Sequence, residues 1–150
     1  MKEKRKKSVG FCVNFLGRKT RKYLELEAEK LGLKTGDLFI LHRLIKEEGL
    51  SQNQISCLMR MNKAHIARST SHLISKNFIV SKSDKNDSRL HRLYLTDLGK
   101  ELIPQIKVIF KNWSATLTSD FSKEEKTLIL NLLLRMCDNA KQYYHGENNE

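Results

Sequence analysis

The fold of this chain is decided by residues 51–99, which read SQNQISCLMRMNKAHIARSTSHLISKNFIVSKSDKNDSRLHRLYLTDLG. Ser51 and Gln54 form an S-x-x-Q capping box, and this pattern predicts that a helix begins at Ser51. Asn62 is a second good N-cap, from which a helix can run to about Lys76. Because only a short turn separates the two helices, the stretch predicts a helix-turn-helix.

A β-hairpin is predicted to follow these helices. Phe78–Lys82 and His91–Leu95 carry strand-forming residues, and the polar, turn-rich sequence SDKNDSRL joins them. Asn77 sits where the preceding helix needs a left-handed C-cap, a conformation that Asn tolerates, although less readily than Gly. Thr96 then caps a new helix, with Asp97 in its first turn, where the helix dipole favours an acid.

The charge of this stretch indicates a polyanionic partner. Residues 51–76 contain no Asp or Glu, whereas a solvated helical surface normally mixes both signs. The whole chain of 150 residues has 28 Lys and Arg against 17 Asp and Glu, a net charge of +11. Such a bias predicts contact with nucleic acid phosphates. The basic residues of the acid-free stretch are Arg60, Lys63, Arg68 and Lys76.

The arrangement resembles the winged helix-turn-helix of the MarR family of transcriptional regulators. The residues that carry the resemblance are Asp87-x-Arg89 in the hairpin, or wing, followed by Leu95-Thr96 and Gly99. Asn77 replaces the family's usual Gly, and Thr70 lies where an apolar residue is common. Further matching features are the S-x-x-Q start, Arg68, the spacing of Ile55, Met59, Ile66 and Leu73, and the segment FSKEEKTLILNLLLRM from Phe121.

This resemblance implies a mostly α-helical fold of about six helices with a small β-hairpin wing, which dimerises through its N- and C-terminal helices. The domain organisation is predicted as one MarR-like domain between two tails. A basic disordered tail is predicted at 1–10, the domain at 11–144 and a frayed tail at 145–150. Within the domain, the winged helix-turn-helix is predicted at about 35–99 and the dimerisation helices at about 11–31 and 97–144. The basic tail is alternatively an arm that adds phosphate contacts.

The flanking segments predict further helices. One runs from Phe11 to about Leu31 and stops at Gly32; the next is capped by Thr35 and ends at Gly49. The helix after Thr96 should reach about Leu117, with a kink or break at Pro104. A second capping box, Ser122 with Glu125, begins the last helix. These late helices carry broad apolar surfaces, which predict a partner helix or packing within the same chain.

The second helix of the helix-turn-helix is expected to lie in the DNA major groove. The wing tip is expected to lie in the minor groove, where Arg89 would be inserted and Asp87 would orient the Arg89 side chain. The predicted recognition-helix residues are Asn62, Lys63, Ala64, His65, Arg68, Ser69 and His72. The predicted DNA-backbone contacts are Ser51, Gln52 and Gln54. The predicted functional residues of the wing are Lys82, Lys85, Asp87, Arg89 and His91, and Arg92 is a further basic residue of the hairpin.

Three widely spaced cysteines favour a reducing, cytoplasmic location over a disulfide framework. Cys12 lies near the start of a basic helix, so it is a candidate redox residue with ordinary packing as the alternative.

Catalytic and metal-binding motifs are absent from the sequence, so neither an enzyme nor a metal site is expected. The longest apolar run is too short for a membrane-spanning helix, so no membrane partner is expected.

The combined prediction is a cytoplasmic homodimeric regulator that binds a pseudo-palindromic double-stranded operator and acts as a ligand-responsive repressor. The resemblance implies a pocket for a small aromatic or phenolic effector, which the sequence does not identify; no cofactor is expected. Two alternatives stay open within this fold, a regulator that senses oxidants through Cys12 and a protein–protein adaptor without DNA binding. RNA binding is disfavoured because the basic half offers no aromatic platform.

Overall fold

The computed structural model describes residues 8–146, with side chains described to residue 143. Two compact units divide the chain after Trp113. The predicted class, mostly helical with one hairpin wing, is confirmed. The elements in chain order are α1 Val9–Lys30, α2 Thr35–Lys46, α3 Gln52–Met59, α4 Lys63–Ser75, β1 Ile79–Ser83, β2 His91–Leu95, α5 Asp97–Glu101, α6 Ile103–Leu117 and α7 Lys123–Gly146.

The ends of α1 differ slightly from the prediction. Ser8 caps the helix, because its Oγ accepts from the backbone N–H of Phe11 at 3.1 Å. The helix therefore includes residues 9 and 10, which were predicted to belong to the disordered tail; residues 1–7 of that tail lie outside the described part of the chain. Gly32, with φ +66°, follows the last turn in the left-handed conformation that the prediction required.

Both predicted ends of α2 are wrong. Thr35 is the first helical residue rather than the cap, and the Asp37 carboxylate instead accepts from the backbone N–H of Lys34 at 2.8 Å. The helix ends at Lys46, three residues before Gly49. Residues 47–50 leave the helix because they pair with β2: the Gly49 N–H donates to Leu93 O, and the Leu93 N–H donates to Leu50 O, each at 2.9 Å.

The predicted break at Pro104 is confirmed. Proline has no N–H to continue the helix, and the chain forms α5 and α6 with Leu102 between them. Farther along, Ser122 and Glu125 form the predicted capping box, with bonds of 3.1 and 2.7 Å between each side chain and the other residue's backbone. Helix α7 continues to Gly146, past the start of the predicted frayed tail at residue 145, and residues 147–150 are not described.

The hydrophobic core of the first unit contains side chains of α1, α2 and α6 as well as of the helix-turn-helix and the wing. Ile66 and Leu73 of α4 are fully buried, as predicted, and each such burial contributes about 2 kcal/mol. The other buried apolar side chains are Leu24, Ala28, Leu33, Leu38, Ile40, Leu41, Leu44, Leu50, Ile55, Ile79, Leu93, Leu95, Ile106 and Ile109.

Helix α1 is fastened to α6 by aromatic side chains with polar tips. Tyr23 stacks on Trp113 with ring centroids 4.6 Å apart, and its hydroxyl donates to Ile109 O at 3.0 Å. The Trp113 Nε1–H donates to Thr20 Oγ1 at 2.9 Å. Burial raises the pKa of Tyr23, so its hydroxyl stays protonated and continues to donate.

The two strands of the wing form an antiparallel pair in which Ile79 faces Leu95 and Ser83 faces His91. The first strand begins one residue later than predicted because the Phe78 N–H is used in the hydrogen bond that closes the end of α4. Asn77 has the predicted left-handed conformation, with φ +58°, and the Phe78 N–H donates to Leu73 O at 3.0 Å. The Phe78 carbonyl in turn accepts from Thr96 N–H at 3.1 Å.

A hydrogen bond between two side chains attaches α4 to the first turn of α2. The Asp37 side chain is completely buried, and its Oδ2 accepts from Nδ1 of His72 at 2.7 Å. His72 was predicted as a DNA-contacting residue; its ring bonds to α2, and its contact with DNA stays a prediction. The carboxylate also lies in the first turn of α2, where the helix dipole favours a negative charge.

We expect Gly99→Ala to destabilise the protein by about 1–3 kcal/mol, because the new Cβ would overlap the carbonyl oxygen of Phe78. Urea unfolding followed by circular dichroism measures the change. Gly17→Ala is the matched control: a Cβ there meets no atom within 4 Å, so the helix should gain up to about 1 kcal/mol. Equal stability of Gly99→Ala and the parent protein would contradict the close contact.

We expect His72→Ala to lower the free energy of unfolding by about 2 kcal/mol, because the buried Asp37 carboxylate loses a hydrogen-bond partner. Ser71→Ala, one residue earlier on the exposed side of α4, should change it by less than about 0.5 kcal/mol. The same unfolding measurement compares them. Unchanged stability of His72→Ala would show that this pair does not hold α4 in place.

Candidate nucleic-acid interface

The turn between α3 and α4 is fixed by local hydrogen bonds. Arg60 adopts the left-handed conformation, with φ +50°, at the end of α3. The Ser56 hydroxyl donates to Met61 O at 2.6 Å, and the Met61 N–H donates back to Ser56 O at 3.1 Å. Asn62 then caps α4, as predicted, by accepting from the Ala64 N–H at 2.8 Å. This turn fixes the angle at which α4 leaves α3.

The outward side of α4 contains only part of the predicted recognition set. Its exposed predicted members are Asn62, Lys63, Ala64 and Arg68. Ser69, a predicted member of the set, is 5% exposed and would meet any side chain placed on Gly36, so it faces α2. His65 is half-buried and also faces Gly36, which directs its ring toward α2 and away from the outward side.

Two exposed serines on α4, Ser71 and Ser75, were missed by sequence reasoning. The buried positions of this helix are 66, 69, 70 and 73, the i, i+3, i+4, i+7 spacing of a single stripe. The inward placement of Ile66 and Leu73 was predicted, so helical geometry already required Ser69 and Thr70 to point inward with them. The same geometry places 64, 68, 71 and 75 on the opposite side.

The beginning of α3 uses two of its predicted DNA contacts for its own cap. The Ser51 hydroxyl accepts from the Gln54 N–H at 3.2 Å, and the Gln54 side chain accepts from the Ser51 N–H at 2.9 Å. Ser51 is buried, whereas Gln52 is exposed at the first position of the helix. Of the three, Gln52 is thus the best placed to meet a phosphate with its side chain.

The wing tip is a closed polar turn. Asp84 Oδ1 accepts from the backbone N–H groups of Asn86 and Asp87 at 2.8 and 3.1 Å. Asp87 was predicted to orient the Arg89 guanidinium; its Oδ1 instead accepts from the Arg89 backbone N–H at 3.0 Å. The ion pair at the base of the tip joins Asp84 to Arg92, a pairing that the sequence did not predict.

The Arg92 guanidinium beside Asp84 holds the pKa of that carboxyl below its usual value, and the N–H donors of Asn86 and Asp87 lower it further. A carboxyl with a lowered folded-state pKa stabilises the fold at neutral pH. That contribution is lost only as the pH falls through the lowered pKa. The ion pair is therefore intact under physiological conditions.

The remaining charges of the wing are basic and exposed. Both acids of the turn, Asp84 and Asp87, are occupied by the contacts just described. In the part of the chain that the structure describes, the Lys85 and Arg89 side chains form no ion pair with them. His91 is also exposed, and the Lys82 ammonium lies 5.3 Å from the centre of the Tyr94 ring. With Asp84 paired to Arg92, Lys82, Lys85 and Arg89 outnumber Asp87, so the wing carries a net positive charge.

A cavity of about 660 Å³ lies between α1, the first turn of α2 and the helix-turn-helix. Its apolar walls include Leu24, Phe39 and Met61. The polar groups on its walls include those of Arg21, Glu25 and His65. Small-molecule sites in proteins are commonly clefts of this size, mostly apolar with a few polar groups.

The three cysteines, Cys12, Cys57 and Cys137, are free and exposed. Cys12 lies in the first turn of α1, where its N–H donates to Ser8 O at 3.1 Å, and its redox role stays a prediction. Within residues 8–146, the His, Cys, Asp and Glu side chains form no group of three or more that could hold a metal ion. A search of the same residues finds no helix that is long and apolar enough to cross a membrane.

Comparison with known proteins identifies relatives over most of the chain. The MarR family model matches residues 33–91. The transcriptional regulator BilQ of Clostridioides difficile is 32% identical over 126 residues, which cover 83% of this chain and 85% of BilQ. Because these relatives are transcriptional regulators, the prediction that the chain is not an enzyme is confirmed.

Solved structures agree with this assignment. A MarR regulator from Methanosarcina mazei is 29% identical with a TM-score of 0.82, covering 90% of this chain and 97% of its own. A putative MarR-family regulator from Listeria monocytogenes, complexed with 26-mer DNA, has the same fold, with 19% identity, a TM-score of 0.87 and coverage of 96% and 97%. The chain belongs to the MarR family of winged helix-turn-helix transcriptional regulators.

Proposed function

We propose that this regulator binds double-stranded DNA as a homodimer on a pseudo-palindromic operator and acts as a cytoplasmic, ligand-responsive repressor. The observation that carries the proposal is the acid-free, outward side of α4 beside a basic wing whose turn is closed by hydrogen bonds. The Listeria neighbour, which shares the fold, was crystallised with DNA. Two-fold symmetry would place the half-sites about one helical turn, ~34 Å, apart.

The outward side of α4 suits the major groove. Lys63 and Arg68 are exposed there and would meet phosphates or guanine edges, while Asn62 and Ser71 can exchange hydrogen bonds with neighbouring groups. No acid lies between residues 51 and 76 to repel the phosphates. A protein–protein adaptor of this fold would gain nothing from that bias, so DNA binding explains it better.

The wing suits the minor groove. Its turn is narrow, and Arg89 is exposed on it with the nearby carboxylates already engaged. A guanidinium is attracted to the enhanced negative potential of a narrow, A·T-rich minor groove. We therefore expect the contact of Arg89 to depend on the sequence-dependent width of the minor groove and not on the identity of individual bases.

The dimer explains the apolar composition of α7. Residues 128–136 read LILNLLLRM, and the exposed fractions of Leu128, Leu130 and Leu134 are 59%, 58% and 54%. A helix that is apolar around most of its circumference is normally buried on more than one side. The first half of α1 is similar, with Phe11 and Phe15 about half exposed. A second copy of the chain would cover these surfaces.

The effector is proposed to occupy the cavity beside α1. Its volume and its mixture of apolar and polar walls fit a small aromatic or phenolic compound. Residues from both α1 and the helix-turn-helix line this cavity, so a bound molecule would change how α4 is held. Oxidant sensing through Cys12 is the weaker alternative because exposure is its main structural support.

We expect Arg89→Ala to weaken binding to duplex DNA at least tenfold, because the minor groove loses its inserted charge, and to flatten the salt dependence by about one unit of slope. Fluorescence anisotropy with an operator selected from random duplexes measures both. Lys107→Ala, on α6, removes the same charge from an exposed site and should change affinity less than about twofold. A loss below twofold for Arg89→Ala would contradict its assignment.

We expect Leu134→Glu to convert the protein into a monomer at micromolar concentration, because burying an unpaired carboxylate in an apolar interface costs several kcal/mol, on the order of the whole association energy. Sedimentation velocity measures the mass. Asn139→Glu adds the same charge at another exposed position of α7 and should stay dimeric. A monomeric parent protein would refute the dimer itself.

A further inference from the structure

We propose that Arg92 is a positioning residue of the wing: it holds the turn that carries Arg89 in the geometry needed to enter the DNA groove. This proposal rests on the proposed DNA-binding function. Arg92 lies on β2, three residues after Arg89, and its side chain is only 32% exposed. Its guanidinium forms hydrogen bonds with other groups of the protein. Its proposed role is therefore to hold the wing in shape and not to contact phosphate.

Arg92 connects the wing to the helix-turn-helix. Its Nη1–H donates to the carbonyl oxygen of Gly49 at 2.8 Å, in the segment between α2 and α3. Its Nε–H donates to the Asp84 carboxylate at the opposite end of the turn. The planar guanidinium reaches both acceptors at once because its donors point in different directions within one plane.

The connection continues through the turn to Arg89. Asp84 accepts from the N–H groups of Asn86 and Asp87, and Asp87 accepts from the N–H of Arg89. Two backbone bonds close the loop: Leu90 N–H to Asp87 O at 3.0 Å, and Asp84 N–H to Leu90 O at 2.7 Å. An unbroken series of hydrogen bonds thus runs from the α2–α3 segment to the backbone of the groove-inserting residue.

This series of hydrogen bonds matters because a flexible loop loses conformational entropy when it becomes ordered on binding, and that loss weakens the affinity. Residues 84–90 project beyond the strands, and a loose turn would have to become ordered when it enters the groove. The Asp84 side chain is only 12% exposed, so its bond to Arg92 is better shielded from water than those of a typical surface pair. The turn is accordingly organised before DNA arrives.

The test uses Arg92→Lys in the full-length protein, because lysine keeps the charge but a single ammonium cannot reproduce the planar two-way contact. We expect amide hydrogen exchange of residues 86–90 in the free protein to accelerate about tenfold and affinity for duplex DNA to fall about fivefold. Arg18→Lys, an exposed substitution on α1, is the control and should change neither measurement. Asp84→Asn, which keeps a side-chain acceptor for the backbone amides, should show the same changes more weakly.

A double-mutant comparison separates positioning from general destabilisation. If Arg92 acts through Arg89, Arg92→Lys should have little further effect on affinity once Arg89 is alanine. Full additivity of the two losses would overturn the proposal, and so would unchanged hydrogen exchange in Arg92→Lys. If the parent protein ignores duplex DNA while exchange still accelerates in Arg92→Lys, the proposed function fails but the control of the turn by Arg92 stands.

Discussion

The burial of one stripe of α4 is the constraint on which the functional surface depends. Ile66 and Leu73 are fully inside, and helical geometry takes Ser69 and Thr70 inward with them. The Asp37–His72 pair then fixes the rotation of α4 against α2 with a directional contact, which apolar packing alone does not supply. Once that rotation is set, only one side of α4 is left to meet a partner.

The wing is organised by a comparable constraint at the other edge of the unit. Residues 47–50 leave α2 early and pair with β2, so the hairpin is attached to the helix-turn-helix along its backbone. Arg92 adds a side-chain attachment at the carbonyl of Gly49. The basic side chains of α4 and of the wing thereby belong to one packed unit, which favours two simultaneous contacts with the same duplex.

The apolar surfaces of α1 and α7 contrast with this polar, tightly capped interface. Nearly every large side chain between residues 128 and 136 is more than a third exposed in the single chain. A soluble monomer rarely leaves such a surface uncovered. The cavity that we propose as the effector site adjoins α1, one of the two helices with such surfaces, so ligand binding and subunit association have a structural route to influence each other.

The sequence by itself determined the class of fold, most element boundaries and the sign of the surface charge. Those features follow from local rules: the capping boxes at Ser51 and Ser122, the left-handed Asn77 and the break at Pro104 were each predicted from a few neighbouring residues. They hold because caps, turns and proline act on the backbone within one helical turn. The MarR resemblance likewise rests on contiguous motifs in the wing.

Only the tertiary structure decided which polar side chains are exposed and available to contact a binding partner. His72 and Ser69 look like surface residues in the sequence, yet one pairs with Asp37, 35 positions away, and the other packs on Gly36. Arg92 was indistinguishable from the other basic residues of the wing until Gly49, 43 positions away, became its acceptor. Local patterns cannot reveal such partners, because which distant groups meet depends on how whole elements pack.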